Sequence, residues 1–390
     1  MPGPRHVLLV PGFFGFANLG DFAYFGHVHD LLRATGPEAG IDGDVRVVTT
    51  IPTASLPTRA ARVAEAITEL VAQRGGVVSI VGHSSGGLDA RLAVAPGATL
   101  PTSVDVEAAA QRVESVVTVS TPHHGTPVAH LFNSVFGQQL LRLLSLSTIY
   151  VLRAGRLPLG VVLRLAGWFA RPGAPPSGVL DQLFQQLLSD FSLERRRAVE
   201  RFFQGVGGDQ NLLPQITPAG TDVFNASIGD RPGVRYASVV GRARPPGLRS
   251  TLAAGLDPYA QATHALYMAL YRLASRTPRG RAPPLNPEQR KVLYRAYRLP
   301  TDHRANDGMV PTLSQVRGDV LAAVWADHLD IIGHFHHPTH VPPHVDWLTS
   351  GTRFDRQDFE SVWRKVAAFV GGRAATVSGA PAGRRPAARM

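Results

Sequence analysis

One segment in the first quarter of the chain constrains the fold more than any other. The apolar, mostly β-branched run Val77–Val81 leads directly into Gly82-His83-Ser84-Ser85-Gly86, and Leu88–Val94 then has the pattern of a helix. A buried strand, a sharp turn that carries a serine and a helix together form the pattern of a nucleophile elbow. Such a turn exposes the hydroxyl beside backbone N–H groups, so we expect Ser84 to be a nucleophile. The alternative is a glycine-rich turn without chemistry.

The sequence around this segment alternates between strand-like and helical stretches. We predict further strands over His6–Val10, Asp44–Thr50, Val113–Ser120 and Gly233–Val240, an amphipathic helix over Arg59–Gln73 and a final helix over Asp358–Val370. Strands that are separated by helices favour an α/β fold with a mostly parallel, doubly wound sheet and right-handed crossovers.

Two helical insertions interrupt this alternation. Residues 129–215 are rich in Leu, Phe and Gln and predict an inserted helical cap, or lid, although two ordinary packed helices would give the same pattern. A second, mainly helical insertion is predicted at about 256–298. The hydrolase-like core would then comprise residues 1–128 and 216–370. Residues 371–390 are dominated by Ala, Gly, Pro and Arg and predict a disordered basic tail.

Composition narrows the classes of function. The formal charge of +11 comes almost wholly from arginines, of which some lie in this tail and the rest are dispersed. Because no nucleic-acid-binding module is visible, we expect no nucleic-acid partner. Disulfides and thiolate chemistry are excluded because the chain has no cysteine. The first strand begins too early for a signal peptide, which predicts a cytoplasmic or trimmed chain. The most apolar stretch, Ile149–Phe169, is broken by arginines, so no membrane span is expected; the oligomeric state stays open.

A second glycine-rich turn follows the first predicted strand, within Leu8–Gly15. In an enzyme built on a nucleophile elbow, an oxyanion is held by the N–H after the nucleophile and by one from an early strand–loop junction. These donors would be the N–H groups of Ser85 and Phe13. Without the elbow, the same turn would be an ordinary strand end.

A serine nucleophile needs a base and a carboxylate, which follow it in the order acid, then base. We predict Asp307 as the acid, with Asp302 and Asp257 as rivals, and His328, 21 residues further on, as the base. A histidine cluster nearby is punctuated by prolines and fits a solvated loop better than a metal site; it comprises His334, His336, His337, His340 and His344.

Five separated blocks carry a family resemblance. They are Leu9–Gly15, Gly82–Arg91, Val117–Thr126, Asn306–Val310 and Asp327–Asp330, with a softer match over Leu213–Asn225. In these blocks and in their order, the chain resembles the bacterial triacylglycerol lipases of the α/β-hydrolase fold. It departs from them in having Pro11-Gly12 where His-Gly is usual, a small Ser85 after the nucleophile, and no secretion signal.

The resemblance implies a fold, a chemistry and a metal. The fold would be an α/β-hydrolase with a lid over 129–215, and Ser84, Asp307 and His328 would be nucleophile, acid and base. Several of these lipases hold a structural calcium near the base; Asp330 matches one ligand, and Asp257 is the best candidate for its partner. No other cofactor is expected.

The resemblance and the residues together predict a serine esterase or lipase. Its substrate would be a lipophilic ester, and a lipid interface would be a further partner. Two other classes stay open, namely an acyltransferase or thioesterase that uses the same three residues, and a non-catalytic lipid-binding protein with this fold.

Overall fold

The computed structural model describes most of the chain outside the predicted cap and tail. It covers residues 3–13, 24–132, 157–169, 178–193, 211–336 and 348–372, with Leu146, Arg196, Arg197, Glu200 and Asp346 as single residues. Much of the predicted cap (129–215), the tail from residue 373 onward, and His337, His340 and His344 therefore lie outside the described residues.

Six parallel strands form one sheet in the order β2-β1-β3-β4-β5-β6. The strands are β1 Arg5–Val10, β2 Val45–Val47, β3 Val77–His83, β4 Val113–Val119, β5 Arg235–Arg242 and β6 Asp319–Trp325. The predicted doubly wound α/β architecture is confirmed, and every pairing among the described strands is parallel. Such a sheet needs cover on both faces, which explains the continuous apolar runs in its central strands.

Helices cover both faces of the sheet. They are α1 Gly26–Ala39, α2 Leu56–Arg74, α3 Gly86–Val94, α4 Val106–Ala110, α5 Val128–Phe132, α6 Leu159–Phe169, α7 Val179–Ser189, α8 Leu212–Gln215, α9 Pro218–Ser227, α10 Leu248–Ala253, α11 Pro258–Ala274, α12 Pro287–Tyr297 and α13 Arg356–Val370. Helix α2 packs with α3 and α4 over one core cluster, whereas α1 packs with α13 over the other.

The amphipathic pattern of α2 shows how the sequence forms these layers. Its buried side chains, among them Ala60, Ile67 and Leu70, recur at helical spacing and face the sheet. Ser55 caps the helix by accepting the N–H of Thr58 at 3.4 Å, and the chain leaves the helix at a glycine. The ends of α2 and its buried face are therefore specified by its local sequence.

The described helices between β4 and β5 cover the carboxyl ends of the strands. Side chains of α5, α6 and α7 are buried in the same apolar cluster as Phe13, which follows β1; they include Phe132, Val161 and Leu183. Between β5 and β6, α11 packs against α6. Within the described part of the chain, every helix is too short or too polar to cross a bilayer.

Candidate active site

The predicted elbow joins β3 to α3. Ser84 is the residue between them, and its backbone has a φ of 55°, in the left-handed region that side chains rarely adopt. Its N–H donates to the carbonyl of Val119 at 2.9 Å. A Cβ on Gly86 would lie 2.2 Å from the carbonyl oxygen of Val10, so only glycine lets α3 approach β1 this closely. The turn is strained and held from both sides, as an exposed nucleophile requires.

The structure brings the three predicted side chains into one hydrogen-bond chain. The Nε2 atom of His328 lies 3.0 Å from the Oγ of Ser84, and its Nδ1 atom lies 2.8 Å from the Oδ2 of Asp307. Asp307 and His328 are buried, and Ser84 is 8% exposed. Because Asp307 accepts from Nδ1, the Nε2 of neutral His328 faces the serine as an acceptor. This is the geometry of a base poised to take the serine proton.

Asp307 is held by donors that the sequence did not reveal. Its Oδ1 accepts the N–H groups of Met309 and Val310 at 2.9 and 2.7 Å. Its Oδ2 accepts the side-chain amide of Gln315 at 3.1 Å. The Gln315 oxygen in turn accepts the N–H of Gly241 at 2.7 Å, which ties the carboxylate to the end of β5. A buried carboxylate with this many donors is fixed in position.

The two predicted oxyanion donors flank the nucleophile. Ser85 is buried at the start of α3, and among the described residues its N–H has no acceptor. Phe13 follows Gly12, on which a Cβ would lie 3.1 Å from the Oγ of Ser84. The backbone on both sides of Ser84 therefore approaches the hydroxyl closely, and the positive end of α3 points towards it.

A buried ion pair connects the loop after β1 to the helix after the nucleophile. The guanidinium of Arg59 lies 2.6 Å from the carboxylate of Asp89, and neither side chain is exposed. Arg59 also donates to the carbonyls of Pro11 at 2.7 Å and Ile51 at 3.0 Å. Burial raises the pKa of Asp89 to about 6, although Arg59 opposes this shift. The pair holds the Pro11–Phe13 loop against α3.

The rival carboxylates lie elsewhere, and the structure describes two members of the histidine cluster, His334 and His336. Asp302 accepts the N–H groups of Arg304 and Ala305 in an exposed turn. Asp257 is exposed and caps α11 by accepting the N–H groups of Tyr259 and Ala260. In the predicted solvated loop, His336 is exposed, whereas His334 is partly buried and its Nε2 contacts the carbonyl of Tyr24 at 3.1 Å.

The structure groups Asp330 with Asp327 and Asp346, and Asp257 is outside this group. One oxygen from each of the three carboxylates lies within 4.8 Å of the others. Asp327 Oδ2 is buried and has no hydrogen-bond partner among the described residues. Burial raises the pKa of all three carboxyl groups, and the charge of Asp327 adds to the increase for Asp330 and Asp346. The expected pairing of Asp330 with Asp257 is thus replaced, because Asp257 serves as a helix cap.

Comparison with known proteins supports an esterase. The model of a family described as "Putative serine esterase (DUF676)" matches residues 53–156, which include Ser84. No curated protein matches the chain in sequence. Because the match covers the nucleophile but neither Asp307 nor His328, it supports ester hydrolysis without identifying the other two groups.

Two solved structures share the architecture over nearly the whole chain. Staphylococcus hyicus lipase is 15% identical, with a TM-score of 0.52 over 95% of this chain and 96% of its own. Lipase 1 from Pelosinus fermentans is 17% identical, with a TM-score of 0.51 over 94% of this chain and 99% of its own. At such low identity the likeness bears on the fold alone. The chain has the α/β-hydrolase fold.

Proposed function

We propose that this chain is a serine hydrolase of lipophilic carboxylic esters, with acylglycerols as the substrate class. The observation that carries the proposal is the buried chain of hydrogen bonds from Ser84 through His328 to Asp307, with Ser84 on a left-handed turn. Three side chains from distant parts of the sequence meet in the order that proton transfer from an alcohol requires.

In the proposed reaction, Nε2 of His328 takes the Ser84 proton as Oγ attacks the ester carbonyl carbon. Asp307 orients the imidazolium and stabilises its charge. The tetrahedral intermediate collapses as Nε2–H protonates the departing alkoxide, which leaves an acyl-serine. Water then attacks the acyl group, with His328 again acting as base, and the carboxylic acid and the free serine are released.

The carbonyl oxygen becomes an anion during both steps. The N–H groups of Phe13 and Ser85 would receive it, each contributing roughly 3 to 4 kcal/mol to the transition state. Because Arg59 and Asp89 hold the loop of one donor against the helix of the other, the donors are in place before the charge develops.

The apolar side chains around Phe13 support the proposal that the substrate carries a lipophilic acyl group. Phe13 is buried beside Phe132 of α5, with ring centroids 6.4 Å apart, and both belong to a cluster that includes side chains of α6 and α7. Three leucines on and after α10, Leu248, Leu252 and Leu256, are at least 71% exposed and follow one another at helical spacing. They support the proposal of a lipid interface.

Covalent labelling tests the proposed nucleophile. A fluorophosphonate probe is expected to modify wild-type protein once, and peptide mass spectrometry should locate the adduct on Ser84. The same protein should hydrolyse p-nitrophenyl esters and prefer longer acyl chains, because an apolar wall rewards each added methylene by about 0.8 kcal/mol. Emulsified acylglycerol serves as the lipid substrate.

The other function classes give different results in the same assay. Faster transfer to glycerol than to water would indicate an acyltransferase, and faster release from acyl thioesters a thioesterase. Lipid binding without an adduct on Ser84 would refute the hydrolase proposal and leave a non-catalytic protein.

We also propose a structural calcium site at Asp327, Asp330 and Asp346. Calcium prefers several oxygen ligands, and the unpartnered Oδ2 of Asp327 offers one in a buried position. Asp327 and Asp330 flank His328 in the chain. A bound cation would neutralise the repulsion among the carboxylates and hold the loop of the proposed base; it takes no part in the chemical steps.

Calcium is expected to raise the melting temperature of protein stripped with a chelator, because binding to the folded state alone stabilises it. Asp330→Asn should abolish the increase. Asp257→Asn is the matched control: an asparagine still caps α11, so the calcium-dependent increase should persist. The same increase in Asp330→Asn and wild-type protein would contradict the site, as would no increase in wild type.

A further inference from the structure

A buried tyrosine and histidine lie behind the proposed catalytic residues and take no part in the reaction as written. The hydroxyl of Tyr24 lies 2.6 Å from Nδ1 of His83, and Nε2 of His83 lies 3.0 Å from the carbonyl oxygen of His328. The backbone N–H of Gly12 also bonds to the Tyr24 hydroxyl. Tyr24 is 2% exposed, and His83 is fully buried.

The proton positions along this chain follow from chemistry. The carbonyl of His328 only accepts, so Nε2 of His83 must carry the hydrogen. Burial and the nearby ring of His328 hold the pKa of His83 well below its usual value, so His83 is neutral and its Nδ1 is an acceptor. The Tyr24 hydroxyl must then donate to Nδ1, and its oxygen is left to accept from Gly12. The His328 carbonyl therefore selects the tautomer of His83, and the Tyr24 hydroxyl supplies the donor that this tautomer requires at Nδ1.

The two ends of this chain are both parts of the proposed reaction centre. Gly12 directly precedes Phe13, the proposed oxyanion donor. The His328 carbonyl belongs to the proposed base. The backbone N–H of His328 donates to the Asp307 carbonyl at 2.9 Å, and the ring centroids of His328 and His83 are 4.7 Å apart. The rings of His83 and His328 are thus packed together while Tyr24 holds the neighbouring loop.

We propose that Tyr24 and His83 are positioning residues that set the oxyanion loop and the base in a fixed relation to each other. The inference rests on the proposed hydrolase function. Loss of the Tyr24 hydroxyl frees the N–H of Gly12 and leaves the buried Nδ1 of His83 without a donor, so the His83 ring no longer has a hydrogen bond at each end to hold it against the His328 carbonyl. The loop that carries Phe13 and the base His328 then both shift, while Ser84 stays in place.

The test compares two buried tyrosines that lose only a hydroxyl. Tyr24→Phe should lower kcat for p-nitrophenyl esters about 10- to 100-fold with little change in KM, because small displacements of catalytic groups cost rates of this size. Tyr297→Phe is the control, since its buried hydroxyl donates to the Val240 carbonyl at 2.9 Å and its kcat should stay at the wild-type value. The rate of fluorophosphonate labelling should fall in Tyr24→Phe alone.

A second pair of variants keeps the inference falsifiable if Tyr24→Phe folds poorly. His83→Gln places an amide N–H near the former Nε2 and should retain most of the activity, whereas His83→Asn is too short to reach the His328 carbonyl and should behave like Tyr24→Phe. Equal kcat in Tyr24→Phe and wild type, or equal loss in both His83 variants, would overturn the inference. Absence of turnover and labelling in wild type would instead refute the hydrolase proposal.

Discussion

Replacement of Ser84 by alanine is expected to lower the rate of ester hydrolysis about a million-fold, to the residual level that substrate binding and oxyanion donors provide. Only the hydroxyl group is removed, and His328 and Asp307 keep their hydrogen bond of 2.8 Å. Alanine and serine pay a similar penalty at a φ of 55°, so the free energy of unfolding should change by less than about 1 kcal/mol. Turnover of a p-nitrophenyl ester and urea unfolding measure the two quantities.

Ser120→Ala provides a matched control. Ser120 is also buried and also left-handed, with a φ of 49°, at the end of the neighbouring strand β4. Its hydroxyl has no hydrogen-bond partner among the described residues. Activity should therefore survive in Ser120→Ala. Comparable turnover in the Ser84 and Ser120 variants would remove Ser84 from the mechanism.

Local patterns explain why much of the fold could be predicted. Strand β3 extends only two residues beyond the predicted Val77–Val81, since β-branched runs buried on both faces are distinctive. Helix α2 begins at Leu56, three residues before the predicted start, because Ser55 and the proline after Leu56 extend its first turn. Strand β2 spans only Val45–Val47 of the predicted Asp44–Thr50, because an edge strand has one neighbour to pair with.

Ser84 and His328 could be predicted because each lies in a short motif just after the carboxyl end of a strand, whereas Asp307 lies in an Asp-Gly turn after α12 that packs beside the carboxyl end of β5. Parallel topology brings those ends to one edge of the sheet, so separate motifs converge without any long-range signal. Gln315 and Asp89 could not be predicted in this way. Their partners are set by three-dimensional packing: Gln315 lies outside the blocks of family resemblance, and the Gly82–Arg91 block that contains Asp89 does not reveal its pairing with Arg59.

The predicted partner of Asp330 shows how one residue type serves two local purposes. An aspartate before a proline suits a helix start as well as a cation site, and Asp257 takes the first role at α11. Asp346 joins Asp330 only through the fold of the chain after β6. Sequence spacing alone could not distinguish these two carboxylates.

The second large effect is expected from the buried ion pair between Arg59 and Asp89. Arg59→Met should lower the free energy of unfolding by about 3 to 5 kcal/mol, because it leaves a buried carboxylate without its counter-ion. It also removes the donors to the carbonyls of Pro11 and Ile51. Arg62→Met on the same helix is the control: its pair with Glu65 is exposed and should contribute less than about 1 kcal/mol.

The loss of unfolding free energy in Arg59→Met should increase with pH. Burial already raises the pKa of Asp89 to about 6, and loss of Arg59 raises it further. A carboxyl group whose folded pKa exceeds its unfolded pKa is most favourable to the folded state at low pH, and that stability is lost as pH rises through the folded pKa. The variant should therefore lose more stability relative to wild type at pH 8 than at pH 5, as measured by urea unfolding. Because the double variant Arg59→Met/Asp89→Leu leaves no unpaired charge at these two positions, it should recover part of the loss. A deficit that is independent of pH, or a double variant less stable than Arg59→Met, would show that charge burial does not govern this contact between the Pro11–Phe13 loop and α3.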